Sequence, residues 1–150
     1  MSDPGTTLAA RIARLHRLAA FEARLSDPDD PAYENVPAIY EDGEMVQMPW
    51  WDARPVGMEL LRSLREDGWL RPFNWIAWSS TPRGSKLLGS LDGLDDANEE
   101  ELVRILTTLV RQDRFFDGAL ASAIQGGYVP HVCRRAGELA DALEGEAVPS

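Results

Sequence analysis

Cysteine is almost absent from this sequence of 150 residues, in which Cys133 is the only one. One thiol cannot close an internal disulfide, and neither His16 nor His131 has cysteine, histidine or carboxylate neighbours at metal-ligand spacing. We therefore expect a cytoplasmic protein with no metal site and no cofactor. His131 and Cys133 are two positions apart, which directs them to different faces of a helix, so Cys133 is expected to be a buried apolar residue.

Long apolar runs are also missing. No stretch approaches the roughly 18 apolar residues of a membrane helix, and arginines interrupt the N-terminal region, where a secretory signal needs an apolar core. Neither membrane insertion nor secretion is therefore expected. Lysine is rare as well: Lys86 is the only one, and this preference for arginine is typical of GC-rich bacterial coding.

Positive charge is scarce, since 25 acidic residues stand against 15 basic ones and the net charge is −10. Phosphate contacts require a basic surface, so general nucleic-acid binding is not expected. The acids are concentrated in two blocks without a basic residue: eight lie within residues 26–52 and six within residues 92–101. These blocks are interpreted either as solvated loops and helix starts or as an acidic face for a basic partner.

What the sequence does contain is helical periodicity. Apolar residues recur at helical spacing over 8–25, after a capping Thr6 or Thr7, and over 102–110, after a capping box at Asp96–Glu99. Further helices are predicted from an Asp52 cap through Pro55 to Gly68, from Phe116 to Gly126, and from Pro130 through Leu143. The predicted fold is mainly α, with α+β as the alternative: a compact single domain, residues 1–150, of about five helices, with frayed ends at 1–5 and 145–150.

A small β-hairpin is predicted around Asp42-Gly43, a dipeptide typical of tight turns, between apolar runs at 38–40 and 45–48. An isolated hairpin is marginal in water, so Met45, Met48 and the following Trp50 and Trp51 are expected to pack on helices. Residues 73–78 suit either a short strand or a buried helical turn, and 79–85 are expected to form a loop.

The densest polar cluster is the stretch from Arg111 to Gly118. On a helix, Arg111 and Arg114 share one face, whereas Asp113 and Asp117 share another. Two guanidinium groups could converge on one phosphate or carboxylate, because arginine offers a fixed fork of donors and a charge that does not titrate. Alternatively, the arginines pair with acids and lock the junction of two helices, and burial distinguishes the two interpretations.

Tryptophan is unusually frequent, at positions 50, 51, 69, 75 and 78. Core packing is the first interpretation, since each indole can bury a large apolar surface. Trp50, Trp51, Trp75 and Trp78 could instead wall an aromatic pocket with Arg111 or Arg114 at its edge. No nucleophile elbow and no glycine-rich phosphate loop is present, so no catalytic residue is predicted and an enzyme is not favoured.

Two motifs carry a resemblance to a known family. The step Met48-Pro49-Trp50-Trp51 and the run from Thr107 to Gly118, of the form T-x-x-V-R-x-D-R-F-x-[DE]-G, resemble those of small bacterial proteins grouped only as a domain of unknown function. The resemblance extends from about Tyr40 to Val132 and includes the segment 73–78. It implies no activity and no catalytic residue, and it draws attention to the stretch Arg111–Gly118.

These observations favour a protein-binding or regulatory module whose partner carries a basic surface. Two alternatives stay open: an enzyme or sensor that binds a small anionic molecule between the arginines and tryptophans, and an acidic decoy or immunity-type protein whose acid blocks mimic phosphates for a basic target. The sequence leaves the oligomeric state open.

Overall fold

The computed structural model describes residues 7–115 and 117–147. Within them the chain forms eight α-helices, one 3-10 helix and four short β-strands. The helices are α1 (Leu8–Ala19), α2 (Phe21–Leu25), α3 (Pro55–Glu66), α4 (Trp75–Ser79), α5 (Pro82–Gly89), α6 (Glu99–Phe115), α7 (Ala119–Gln125) and α8 (Tyr128–Ala147), and the 3-10 helix is Asp92–Asp96. The strands are β1 (Tyr33–Val36), β2 (Ile39–Glu41), β3 (Glu44–Gln47) and β4 (Trp50–Ala53). The predicted mainly α fold is confirmed, with eight α-helices in these residues where about five were expected.

One hydrophobic core receives side chains from every one of these helices. The periodic stripe of α6 supplies fully buried Leu102, Ile105 and Leu106, and α8 packs along α1, which buries Leu15 and Leu18. Each such leucine stabilises the fold by roughly 1.5–3 kcal/mol relative to an exposed one. The amphipathic periodicity of the sequence is therefore the main source of the fold.

Capping side chains fix where the two best-predicted helices begin. Thr7 Oγ1 accepts the Ala10 N–H at 3.2 Å and starts α1. A reciprocal capping box starts α6: Asn98 Oδ1 accepts the Glu101 N–H at 2.8 Å, and Glu101 Oε1 accepts the Asn98 N–H at 3.1 Å. This box lies two positions after the predicted one at Asp96–Glu99, because Asp96 belongs to the preceding 3-10 helix.

The structure decides one alternative that the sequence left open, for residues 73–78, and corrects two local predictions, the loop at 79–85 and the cap at Asp52. Asn74 accepts the Ala77 N–H at 3.1 Å, so residues 75–79 form a helical turn and not a strand. Thr81 caps α5 with Pro82 as its first residue, where a missing N–H costs nothing, so this helix begins inside the expected loop. Asp52 caps no helix, because it lies in β4.

The ends of the chain also differ in part from the prediction. α8 continues through Ala147, beyond position 145, where fraying was predicted to begin. Residues 1–5 and 148–150, the alternative cap Thr6 and the predicted helix residue Phe116 lie outside the described residues. No helix that the structure describes is both long enough and apolar enough to cross a membrane.

The four strands form two antiparallel ladders that follow one another along a ribbon. β1 pairs with β4 at the root, β2 pairs with β3 at the tip, and Pro37 and Pro49 separate the ladders because proline lacks the N–H that a ladder needs. The predicted hairpin turn is confirmed: Asp42 and Gly43 both have positive φ, 51° and 81°, as a type I′ turn requires.

Candidate functional site

The acidic side chains of the stretch Arg111–Gly118 hold the junction of α6 and α7 together. Asp113 Oδ1 accepts the Leu120 N–H at 3.1 Å and so caps α7, which has no capping side chain at Gly118. Asp117 Oδ2 accepts the Trp51 N–H at 3.3 Å and ties β4 to the same junction. The lock that the sequence suggested is therefore made by carboxylates with backbone N–H groups, not by carboxylates with arginines.

Gly118 allows Trp51 to close this junction. Its φ of +91° lies in the left-handed region, and a Cβ at this position would lie only 2.1 Å from Trp51 Nε1. Glycine is thus required here both for backbone conformation and for space. Gly118, the last residue of the T-x-x-V-R-x-D-R-F-x-[DE]-G motif, therefore makes room for Trp51 at the junction of α6 and α7.

The arginines of the same stretch lie at a different place, a small pocket of about 170 Å³. Arg65 from the last turn of α3 joins Arg111 and Arg114 there. The remaining lining residues are Leu70, Thr107 and Val110. Three arginines from two helices therefore line one pocket.

The hydroxyl of Thr107 is already occupied. It donates to the Trp69 carbonyl oxygen at 3.2 Å and accepts the Arg71 N–H at 3.1 Å, and the side chain is buried. Thr107 thus fixes the segment after α3 against α6 and leaves the arginines as the polar groups that a ligand would meet. The first residue of the T-x-x-V-R motif positions the pocket wall.

The predicted aromatic wall is not assembled, because none of the four tryptophans lines this pocket. Trp78 is buried with its ring edge against Phe73, at a centroid distance of 6.0 Å. Trp75 lies 6.3 Å from the Phe115 ring, between centroids. Trp50 and Trp51 are neighbours on β4 and point to opposite faces, so Trp51 packs at the junction while Trp50 stays 44% exposed.

The two acid blocks differ sharply in their surroundings. In the block 92–101, four of the six acids form ion pairs with arginines: Asp96 and Glu101 with Arg83, Glu99 with Arg11 and Arg14, and Glu100 with Arg104. Asp95 is hydrogen-bonded to His131 at 2.9 Å. The Arg83 guanidinium lowers the pKa of the Glu101 and Asp96 carboxyls below their ordinary values. This block neutralises arginines of the fold itself.

The acids of the block 26–52 are mostly without basic partners in the described structure. Among the described residues, Glu34 is the only acid of this block in an ion pair, at 3.7 Å from Arg54. The sequence could not distinguish the two blocks, because most of their ion-pair partners are distant along the chain, as Arg11 and Arg14 are from Glu99.

An exposed arm, which we define as residues 39–50, carries part of this block. It contains β2, β3 and the following residues to Trp50, and its acids are Glu41, Asp42 and Glu44. Its large apolar side chains are exposed: Ile39, Tyr40, Met45, Val46, Met48 and Trp50. Tyr40 is 64% and Met48 70% exposed, so the prediction that the methionines and Trp50 pack on helices is wrong. The helices cover only the root of the ribbon, through Tyr33 and Trp51.

Two further clusters offer less. His16, Asp141 and Glu144 have potential metal-ligand atoms within 4.8 Å of one another, but all three are exposed and the His16 imidazole contacts Glu144 directly, linking α1 to α8. A pocket of about 440 Å³ between the loop after α2 and α7–α8 is mostly apolar, and Asp27 is its only charged lining residue. Neither place brings several positive charges to one pocket, as Arg65, Arg111 and Arg114 do.

Alkaline pH should lower the free energy of unfolding. The thiol of Cys133 should be the first group to contribute to this loss, because it titrates at the lowest pH in the unfolded chain. Burial, with a smaller effect of Glu22, raises the pKa of Cys133 to about 12, and burial, with a smaller effect of Asp113, raises the pKa of Tyr33 to about 12. In the unfolded chain these groups titrate near their ordinary pKa values of about 8.5 and 10. The unfolded state therefore loses protons first, and the free energy of unfolding falls as pH rises.

Urea denaturation over about pH 8–11 measures this fall. Cys133→Ala should remove its first part, below about pH 10, whatever its effect on stability at pH 7. An unchanged pH profile in that variant would show that the thiol titrates normally in the folded state.

Comparison with known proteins gives this chain a family but no activity. No curated protein and no solved structure matches this chain. Residues 10–142 match the model of a family described only as being of unknown function. That range is wider than the motif resemblance over 40–132 and takes in most of α1 and most of α8. The chain belongs to this family of unknown function, DUF6508.

Proposed function

We propose that this protein is a protein-binding module and that the arm is its contact surface. The observation that carries the proposal is the exposure of six large apolar side chains on the arm beside acids without an ion pair in the described structure. Soluble monomers rarely expose contiguous apolar surface without a use for it, and aromatic and methionine side chains are enriched in protein interfaces. The partner is therefore a protein segment with both apolar and basic side chains.

The charge of the arm supports a basic partner. Glu41 lies directly across from Glu44 at the tip, and Glu34 lies across from Asp52 at the root. Like charges at opposed positions destabilise an antiparallel pair, by up to about 1 kcal/mol. Lysine or arginine side chains from a partner would remove this repulsion on binding.

The strand edges of the arm support an extended partner. Among the described strands, β2 and β3 pair only with each other, so each has an outer edge whose backbone groups lack a strand partner. Such an edge accepts an extended segment by strand addition, in which backbone hydrogen bonds supply affinity and side chains supply specificity. A segment that alternates apolar residues with lysine or arginine fits both features.

The decoy hypothesis is less well supported. Mimicry of nucleic-acid phosphates needs a broad acidic surface without counter-charges. The block 92–101 does not contribute to one, because its acids already pair with arginines and His131. A local contact at the arm agrees better with the distribution of charge.

The proposal is tested by selecting peptides from a random display library on the whole protein. We expect the selected peptides to be extended segments enriched in lysine and arginine between apolar residues. Glu44→Lys should weaken their affinity at least about tenfold, because it places a like charge against the peptide. The same change places opposite charges across the tip with Glu41, so the arm itself should not be destabilised.

The matched control is Glu146→Lys, which makes the same charge change at an exposed position of α8 outside the arm. It should leave the peptide affinity unchanged. Enrichment of acidic peptides, or equal weakening by both variants, would contradict the arm as the contact surface.

A further inference from the structure

We infer that Arg65, Arg111 and Arg114 form a binding site for a phosphate group, carried by inorganic phosphate or by a small phosphomonoester. No residue of the arm lines this pocket, so the inference is independent of the protein-binding proposal. It assigns a ligand class to the arginines of the T-x-x-V-R-x-D-R motif.

The distribution of ion pairs is the first argument. In the described part of the chain, nine arginines lie within 4.0 Å of a carboxylate oxygen, and they are Arg11, Arg14, Arg17, Arg24, Arg54, Arg83, Arg104, Arg134 and Arg135. The five others are Arg62, Arg65, Arg71, Arg111 and Arg114. Three of these five, Arg65, Arg111 and Arg114, line the 170 Å³ pocket. In a protein of net charge −10, three of the five arginines without a carboxylate partner in the described residues therefore line one small pocket.

The composition of the pocket is the second argument. Its lining contains three arginines and no acidic residue, and Leu70 and Val110 supply apolar wall. Arg65 and Arg114 lie in the last turns of their helices, where the helix dipole favours one cation each. That effect does not account for three positive charges around one small space, which repel one another until an anion neutralises them.

Size and charge indicate phosphate. A pocket of about 170 Å³ is smaller than the roughly 300–1,000 Å³ of sites that enclose drug-sized ligands, so it suits a single oxyanion group. A phosphate monoester carries about −1.5 to −2 charge at pH 7 and several acceptor oxygens, which matches several guanidinium forks better than one carboxylate does. The pocket residues therefore favour a phosphate group over a carboxylate.

The test is a titration of the folded protein with inorganic phosphate, glycerol 3-phosphate and sulfate at constant ionic strength. We expect both phosphate probes to shift the Nε–Hε resonances of Arg65, Arg111 and Arg114 and to raise the melting temperature. Tighter binding of glycerol 3-phosphate than of phosphate would identify a phosphomonoester as the ligand, and the reverse order would identify free phosphate. The affinity of either phosphate probe should fall below about pH 6, where the phosphate group gains a proton, whereas sulfate would show no such change.

Two variants on different helices are tested, so that the inference can still be judged if one of them fails to fold. Arg114→Gln on α6 and Arg65→Gln on α3 should each weaken binding of the phosphate probes at least about tenfold, since each removes a charge-assisted hydrogen-bond donor. Arg134→Gln is the control, because it removes an exposed guanidinium of α8 outside the pocket. No resonance shift at millimolar phosphate, equal binding of sulfate and phosphate at all pH values, or equal weakening by Arg134→Gln would overturn the inference.

Discussion

Gly118→Ala should lower the free energy of unfolding by about 3 kcal/mol. The left-handed φ of +91° costs an alanine about 1–2 kcal/mol, and the new Cβ would lie 2.1 Å from Trp51 Nε1, so the indole must leave the junction. Displacing a packed side chain adds about 1–3 kcal/mol. For a chain of this size we expect the melting temperature to fall by roughly 6–12 °C.

Gly43→Ala is the matched control for this prediction. Gly43 also has a positive φ, +81°, but nothing lies within 4 Å of the place that an alanine methyl group would take, so only the backbone cost of about 1–2 kcal/mol applies. Calorimetry of the two variants separates backbone strain from the loss of Trp51 packing. Equal losses in both would mean that the contact between Gly118 and Trp51 contributes nothing.

Gly57→Ala should lower the free energy of unfolding by about 2 kcal/mol. In α3, a Cβ at this position would lie 2.3 Å from the Ala32 carbonyl oxygen, which accepts the Arg54 N–H at 2.8 Å. Moving that carbonyl weakens the hydrogen bond and pushes the root of β1 away from the helix. The higher helix propensity of alanine, about 1 kcal/mol, offsets part of the loss.

The control here is Gly89→Ala, at the last residue of α5, where nothing lies within 4 Å of an added Cβ. Its stability should change by less than about 1 kcal/mol. Urea denaturation of both variants measures the difference, and a wild-type midpoint for Gly57→Ala would refute the close contact with Ala32.

Gly118 and Gly57 hold β4 and β1, the two strands at the root of the ribbon from which the arm extends. Gly118 receives Trp51 of β4, and Gly57 lies against the backbone just before β1. We therefore expect both substitutions to weaken peptide binding by the arm in addition to lowering stability, because a loosened root misplaces the strand edges. Gly89→Ala should leave peptide binding unchanged.

Local signals explain which elements the sequence predicted well. The stripe over 102–110 and the repeat over 8–25 place apolar side chains on one face at helical spacing, so α1 and α6 follow from the pattern. The Asp42-Gly43 turn follows from its need for two positive φ values. The short helices α4 and α5 were missed or left ambiguous because single caps at Asn74 and Thr81 start them, and caps of this type are as common in loops.

The sequence alone determined that this chain folds as a mainly helical acidic domain, and it marked Arg111–Gly118 as a cluster of unusual charge. The tertiary structure decided how that cluster divides: Asp113 and Asp117 bind backbone N–H groups, and Arg111 and Arg114 meet Arg65 at a pocket. It also decided which acid block is neutralised and which of Trp50 and Trp51 is covered. The physical reason is that periodicity is a local property of the chain, whereas burial and most of the ion pairs depend on residues that are far apart in the sequence and meet only when the helices pack.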